Sequence, residues 1–498
     1  DDLGNLSRLS SDNIWIDLEE ASLATTSLST IDSGYAIFYA YTSPEEYNAN
    51  TSFTRLALKV TFISYYQTIS NKQAFILYQV YHRNIQISNL KVDCVTVFYG
   101  IGQICTVFVD SNTTSYYVDI NFLSSGAVLS STFIPPRKII DLPQHSFRRV
   151  QMSFGGYIFD IDFYNFTSNT NYHYIDVYGD KYLGQLGPFI TDEFDVSAIM
   201  DNNNTLVLPS SYTNSQNTSW SLLTVSLPQV LKDLDNGYKN LLINEITPPI
   251  NASVNSLTNA LRITFFDPIV LSTGNLTIYK TSDNSIRQQV SGMMEEFCTI
   301  DWDEKTIIIK VISSTFNEYG ELYSVIMDNN FVKSKNYNEP LKGLEGGILK
   351  YNSTYRAPPS DSDVYSARLT MEATVKVSAL SKDDQKIYFN SLLDDISIKL
   401  PVRRGRLNIF GNLRLIYDSI SKLENIEFNI LIVNLPNSAQ HENTVLGVVS
   451  DLDTMITYKI ATEFSIGLTN DLDSTFGLQP SGELIIFFKG AVKVEIHD

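Results

Sequence analysis

Carboxylates are the residues of this chain whose types and placement come closest to supporting chemistry. Asp119, Asp160 and Asp162 lie on predicted strands of the region that ends near Asn236. Glycosidases use two carboxylates, one as acid and one as nucleophile or base, and the inner strands of a β-propeller can supply such a pair. The commoner place for a carboxylate that alternates along a strand is a solvated face. We prefer this second interpretation, and a glycosidase would require the three side chains to converge.

Other catalytic patterns are absent from the sequence, which lacks the His-Glu-x-x-His, Gly-x-Ser-x-Gly, P-loop and Cys-x-x-Cys motifs. Gly100-Ile101-Gly102-Gln103-Ile104-Cys105 lacks the last glycine of the dinucleotide fingerprint and lies in a predicted hairpin, so it indicates a turn. The histidines are scattered, with no pair at metal-ligand spacing: His82, His145, His173, His441 and His497. We therefore expect no enzyme, no catalytic residue and no cofactor.

Two short charged segments have a functional and a structural interpretation. Asp233, Asp235 and Gly237 match the start of a calcium loop, but the twelfth position is Asn244 instead of Glu, which excludes an EF-hand and leaves a simpler linker calcium site open. The segment Arg403-Arg404-Gly405-Arg406 offers a dibasic cleavage site, and we assign it to an exposed loop.

The three cysteines predict one disulfide. Cys94 and Cys105 are separated by ten residues, with Gly100 and Gly102 near the middle, which is the spacing of a hairpin whose strands can be bridged. Cys298 is left over and is expected to be a buried thiol.

Composition and charge favour an extracellular β protein. The chain has 498 residues, of which 43% are hydrophobic and 12% aromatic, which indicates strands and two to four domains. A net charge of −19 argues against nucleic acid and anionic membranes as partners, and no apolar run is long enough to span a bilayer. Nine sequons are candidates for N-linked glycans: Asn5, Asn50, Asn112, Asn165, Asn203, Asn217, Asn251, Asn275 and Asn352. We interpret the chain as a mature or clipped ectodomain.

Aromatic strand patterns recur through the N-terminal region. Tyr35, Ile76, Tyr117 and Tyr157 follow one another at a nearly constant interval, and a further step reaches the strand that follows Asn203. A period of about 40 residues with several short strands in each repeat is typical of propeller blades. About five such blades would fit here, and a solenoid and tandem sandwiches are the alternatives.

Two proline-marked segments predict three domains. The first segment runs from Asp233 to Pro249 and ends in Thr247-Pro248-Pro249, and the second runs from Tyr355 to Asp363. The resulting domains are residues 1–236, 237–356 and 357–498.

The middle domain carries the landmarks of a known module. A strand from Leu261 to Phe266 ends at Asp267-Pro268-Ile269, a second strand runs from Gly274 to Tyr279, and a third follows from Gly320 to Asp328. These segments resemble the bacterial-type Ig-like domain of S-layer proteins and adhesins, which implies a β-sandwich that holds partners together and does no chemistry. The match covers about a fifth of the chain.

The last domain predicts an α+β fold in the order βαββαβ. Ala367 to Val377 alternates as a strand, and Ser381 with Asp384 begins a helix that carries Ile387, Leu392, Leu393, Ile396 and Leu400 and stops at Pro401. Strands at Leu413 to Tyr417 and Ile426 to Val433, a helix from Val445 to Ile456 and a strand from Glu483 to Phe488 complete the order of a ferredoxin-like sheet. SEA-type domains of cell-surface proteins share this order.

Together these features favour a non-enzymatic, secreted or cell-surface protein that acts through adhesion or self-assembly. The combination of repeats, an Ig-like module and the Asp235-Asn236-Gly237-Tyr238 hinge resembles large multidomain secreted proteins of filamentous fungi. Expected partners are other copies of the chain, or a surface glycan or protein ligand. A carbohydrate-binding propeller is the alternative, and a five-bladed glycosidase is the third class.

Overall fold

The protein is mainly β, as the composition predicts. The computed structural model describes residues 22–48, 51–63, 74–83, 85–98, 100–112, 114–134, 145–165, 167, 170–179, 181–191, 198–200, 203–211, 220–354, 361–400, 402–418, 423–434 and 443–481. Two compact units divide the chain. The first unit comprises Asp1–Leu242, Asp267–Val270 and Val332–Lys342, and the second comprises Ile243–Phe266, Leu271–Phe331 and Gly343–Asp498. No helix of the described residues is long and apolar enough to cross a membrane.

The N-terminal region folds as four successive antiparallel sheets. The strands of the first two sheets are Ser22–Ser29, Tyr35–Asn48, Thr51–Ile63, Phe75–Arg83, Ile87–Thr96, Gln103–Ser111, Ser115–Phe122 and Val128–Ile134 (β1 to β8). Those of the other two are His145–Gln151, Tyr157–Asn165, Thr170–Tyr178, Tyr182–Thr191, Ala198–Met200, Thr205–Ser211 and Trp220–Ser226 (β9 to β15). In each sheet every strand pairs with its neighbour in sequence, in the orders β1-β2-β3-β4, β5-β6-β7-β8, β9-β10-β11-β12 and β13-β14-β15.

Three apolar layers join these sheets face to face. Phe38 and Leu58 of the first sheet pack with Val107 and Ile120 of the second. The alternate side chains of the second sheet point the other way, so that Phe108 and Tyr117 pack against the third sheet. The third layer lies between the third and fourth sheets, where it contains Ile158, Ile175, Leu206 and Leu208. Each inner sheet is therefore buried on both faces.

The predicted repeat period is wrong for these sheets. They begin at Ser22, Ile87, His145 and Ala198, so the steps between them are all longer than the predicted period and become shorter along the chain. Tyr35 and Ile76, which the period treats as equivalent positions of two repeats, lie on the second and fourth strands of one sheet. The error arose because aromatic and β-branched residues are favoured on every strand. Their recurrence along the chain therefore indicates successive strands and not successive repeats.

The middle region forms two larger sheets from strands with alternating buried residues. The strands are Ile243–Thr247, Ser253–Val254, Ala260–Phe265, Ile269–Leu271, Asn275–Lys280, Ile286–Ser291, Cys298–Ile300, Thr306–Lys310, Leu322–Met327, Val332–Ser334 and Leu344–Ser353 (β16 to β26). The sheet orders are β16-β18-β23-β22 and β17-β26-β24-β20-β21, with β17 and β26 parallel, and β19 pairs with β25. Leu261, Ile263 and Phe265 are the buried alternates of β18, and Tyr323, Val325 and Met327 are those of β24.

The C-terminal region is one antiparallel sheet packed with helices. The sheet order is β28-β29-β27-β30, and the strands are Asp363–Arg368, Leu407–Asp418, Leu423–Ile432 and Leu478–Pro480 (β27 to β30). The helices are Met371–Ser378, Lys382–Lys399 and Val445–Thr457 (α1 to α3). Ala367, Leu393, Phe428 and Leu452 belong to the common core.

The helix at Ser381 is confirmed, because the Ser381 hydroxyl accepts a hydrogen bond from the Asp384 backbone N–H. The prediction that Ile387 lies on its inner face is wrong, since Ile387 is exposed and Phe389 is buried instead.

The predicted strand from Ala367 to Val377 is also wrong in its second half. There the Thr370 hydroxyl caps the N-terminus of α1, in which Ala373 and Val377, four residues apart, are buried and Val375 between them is exposed. Pro401 and the predicted strand from Glu483 to Phe488 lie outside the described residues.

Candidate functional site

Asp119 lies in the layer between the second and third sheets, where it is fully paired. The Thr106 hydroxyl donates a hydrogen bond to its carboxylate at 2.7 Å, and the Arg149 guanidinium forms an ion pair with it. The Arg149 guanidinium also lies 3.9 Å from the centre of the Tyr157 ring. The Asp93 carboxylate accepts a hydrogen bond from the Arg149 backbone N–H at 2.6 Å. Asp119 is therefore part of a buried polar connection between two sheets.

Asp160 faces away from Asp119. Ile158, two residues before Asp160 on β10, packs towards the fourth sheet, whereas Phe159 packs towards the second. Because side chains alternate along a strand, Asp160 lies on the same face as Ile158, the face that is turned away from the second sheet. There its carboxylate lies 3.0 Å from Nδ1 of the buried His173 and 4.0 Å from Nη2 of Arg148. Asp162 shares the face of Asp160, because it is two residues further along β10. The three candidate carboxylates do not converge, and this geometry offers no acid and nucleophile pair.

Cys94 and Cys105 are joined by a disulfide within the second sheet. They are direct partners in the pairing of β5 with β6, and their Cα atoms are 4.1 Å apart. The hairpin turn includes Gly102, whose φ of 78° and close approach to Phe122 leave no room for a side chain. Gly100 to Cys105 is thus a turn followed by a strand. Cys298 is a buried free thiol whose burial raises its pKa to about 12.

The two linker acids, Asp233 and Asp235, lie in local turns. Asp233 lies in a short 3-10 turn, and the Asp235 carboxylate accepts a hydrogen bond from the Gly237 backbone N–H at 3.0 Å. Across the described residues, no group of three or more His, Cys, Asp and Glu side chains is placed to hold a metal ion.

The arginine-rich segment, which we expected to be an exposed loop, is exposed only at Arg403 and Gly405, whereas Arg404 is half-buried. Arg406 is buried, and its guanidinium donates to the backbone carbonyls of Val433 and Asn443 at 3.0 and 2.7 Å. Arg404 donates to the Asp394 carboxylate and to the Leu407 carbonyl. Arg404 thus bonds the first residue of β28, and Arg406 bonds carbonyls that follow β29 and precede α3, which disfavours cleavage of the folded chain.

The sequons differ in accessibility. Four lie at exposed positions, namely Asn112, Asn203, Asn251 and Asn352. Asn165 and Asn275 are half-buried, and Asn5, Asn50 and Asn217 lie outside the described residues.

Sequence reasoning missed an apolar feature at the edges of the four N-terminal sheets. The last strand of every sheet, β4, β8, β12 and β15, is an edge strand and carries large apolar side chains that remain exposed. We call these residues the edge set: Phe75, Ile76, Tyr81, Val128, Leu129, Phe133, Tyr182, Leu183, Ile190, Leu222 and Leu223. Exposed apolar edge strands are templates for association with another chain.

Sequence reasoning also missed a polar joint that connects the middle region to the C-terminal region within the second unit. The Arg287 guanidinium donates to the Lys399 carbonyl at 3.2 Å, and the Ile286 N–H donates to the Glu463 carboxylate at 2.9 Å. The Lys310 ammonium donates to the Tyr458 hydroxyl at 3.1 Å. These contacts continue through Ser313 and Thr454, whose hydroxyls are 2.9 Å apart. The joint brings together two regions that the predicted linker from Tyr355 to Asp363 separates in sequence.

Asp451 is the most unusual ionisable group of this joint. It is fully buried on α3, and the Asn443 side chain donates a hydrogen bond to its carboxylate at 2.8 Å. Burial raises its pKa to about 7, although Asn317, Arg287 and Asn443 each lower it and Glu318 adds to the increase. A carboxylate within the apolar stripe of a predicted helix was the only signal of this site in the sequence.

No protein-family model matches the chain, and no curated protein matches it significantly.

Proposed function

We propose that this protein is a non-enzymatic extracellular scaffold that acts through protein-protein contacts and assembles with other copies of itself. The observation that carries the proposal is the edge set, in which the last strand of each N-terminal sheet leaves apolar side chains in solvent. The unpaired backbone groups of such a strand can hydrogen-bond to a strand of a second copy, while the apolar side chains become buried.

The proposal includes three modules. Four meanders that pack face to face support a propeller-like N-terminal domain. Two sheets with alternating buried residues and a parallel β17 and β26 pair support an Ig-like middle domain. The sheet order β28-β29-β27-β30 with helices after the first and third strands supports a ferredoxin-like C-terminal domain.

An extracellular location is part of the same proposal. The disulfide between Cys94 and Cys105 suits an oxidising compartment. Exposed sequons at Asn112, Asn203, Asn251 and Asn352 would be accessible to glycosylation there. Mass spectrometry of native material before and after enzymatic deglycosylation tests this location, and unmodified asparagines at all four sites would contradict it.

Sedimentation velocity and electron microscopy of the full chain over a range of concentrations test self-assembly. We expect oligomers or filaments, and we expect a Phe133→Lys, Ile190→Lys variant to remain monomeric, because charges on edge strands oppose pairing. Val375 and Ile398 are 68% and 79% exposed on helices, so Val375→Lys, Ile398→Lys is the matched control and should assemble normally. A wild-type chain that stays monomeric, or equal assembly of both variants, would exclude this function.

A further inference from the structure

The solvent face of the five-stranded sheet in the middle region contains a depression of about 340 Å³. It lies across β20, β24 and β26, and Tyr279, Ser324 and Lys350 contribute its side chains from these strands. The buried neighbours Ile278, Val325 and Leu349 point to the opposite face, so the depression is separate from the core.

A bulge in β26 builds one wall of the depression. Val325 pairs with Leu349 but Met327 pairs with Leu344, so that one residue of β24, Ile326, faces the four residues 345–348 of β26. Gly347 takes a φ of 83°, and its N–H donates to the Ser324 hydroxyl at 3.3 Å. A side chain at Gly346 would crowd Ile326. Glycines in a bulged strand often mark a place where a ligand approaches the backbone.

Three side chains around this depression, Lys350, Tyr279 and Asn284, can hydrogen-bond to a ligand. Lys280, Lys305 and Lys310 of the same region each donate to a carboxylate, carbonyl or hydroxyl oxygen. Within the described part of the chain, the Lys350 ammonium has no such partner, and neither the Tyr279 hydroxyl nor the Asn284 side chain has one. The depression therefore combines one unpaired cation, an aromatic ring and uncharged hydrogen-bonding groups.

We propose that this depression binds a saccharide that carries a carboxylate, such as a hexuronic acid residue. The Lys350 ammonium pairs with the carboxylate, because a charge-assisted hydrogen bond is stronger than a neutral one. Tyr279 offers its ring to the apolar face of the sugar, and Asn284 and Thr281 offer groups that match sugar hydroxyls. One ammonium without an arginine partner fits a single carboxylate better than a phosphate, which is usually held by several donors.

Saturation-transfer difference NMR on the full chain tests this site, with methyl glucuronide as the probe and methyl glucoside as its neutral match. Titration of the transfer signal gives the affinity for each sugar. We expect methyl glucuronide to bind at least about tenfold more tightly than methyl glucoside. Lys350→Met should abolish this preference, and Lys350→Arg should retain it. Tyr279→Ala should lower the affinity for both sugars. The control is Lys382→Met, which removes an exposed lysine elsewhere.

Three outcomes would overturn the proposal. The first is no transfer to either sugar, and the second is a preference for glucuronide that survives Lys350→Met. The third is full competition by acetate at the same concentration, because it would show a simple anion site. Loss of self-assembly in these variants is not expected, so this test stands apart from that of the scaffold function.

Discussion

Arg149 of β9 forms an ion pair with Asp119 of β7, and this pair joins the second N-terminal sheet to the third. Both side chains are buried, at 1% and 10% exposure. A buried pair of this kind contributes little net stability as a pair, but the loss of one partner leaves the other charge unpaired in an apolar layer.

Asp119→Ala should therefore destabilise the N-terminal sheets by about 3 to 5 kcal/mol. Asp119→Leu combined with Arg149→Met should recover most of this loss, because it removes both charges and keeps apolar volume. Urea unfolding followed by fluorescence measures the free energies. The control is Asp233→Ala at an exposed position, and an equal effect of the two alanine variants would contradict the buried pair.

Asp451 should make stability depend on pH. Its pKa is raised from 3.8 to about 7 in the folded protein. Between these values the folded state binds a proton that the unfolded state has released, so the contribution of Asp451 to stability is fully present below about pH 4 and is lost as pH rises to about 7, by roughly 4 kcal/mol in total.

Asp451→Asn keeps the shape of the side chain and removes its titration. The difference in unfolding free energy between the variant and the wild type, measured at intervals across this pH range, isolates Asp451 from other groups. A difference that does not change with pH would show that Asp451 does not titrate in this window.

Reduction of the disulfide should destabilise the N-terminal sheets. Cys94 and Cys105 close a short loop, for which the chain-entropy model gives about 3 kcal/mol. Thermal unfolding with and without dithiothreitol measures the effect. The Cys94→Ala, Cys105→Ala variant should lose its sensitivity to the reductant, whereas Cys298→Ala should keep it.

Gly102→Ala should destabilise the hairpin between β5 and β6 by about 1 to 3 kcal/mol, because a Cβ there meets a positive φ. The added carbon would also overlap the Phe122 carbonyl oxygen. Gly405→Ala is the matched control, since its added carbon would lie in open space and its φ is not positive. Equal unfolding midpoints for the two variants would contradict this account.

Local signals in the sequence predicted local structure well. Ser381 indicated the start of a helix, and Asp267-Pro268 indicated the break between β18 and β19, because caps and prolines act through backbone groups of their own neighbours. Cys94 and Cys105 were predicted to pair because a hairpin brings them together whatever the rest of the chain does.

Features that depend on distant parts of the chain were missed. The grouping of strands into sheets is decided by which faces are buried, and Tyr35 and Ile76 carry no mark of the sheet to which they belong. The joint of Arg287 with Lys399 and the depression beside Lys350 arise from residues far apart in sequence. A single sequence shows neither contact, since side-chain type alone does not specify a partner.

The neighbour-to-neighbour strand order of the N-terminal sheets affects how the chain can fold during synthesis. Each of these sheets needs only consecutive strands, so it can form soon after they leave the ribosome. The C-terminal sheet places Leu478–Pro480 beside Asp363–Arg368, so its edge stays open until the whole stretch between these two strands has been translated. The C-terminal sheet therefore keeps an unpaired edge for longer during synthesis than any of the N-terminal sheets.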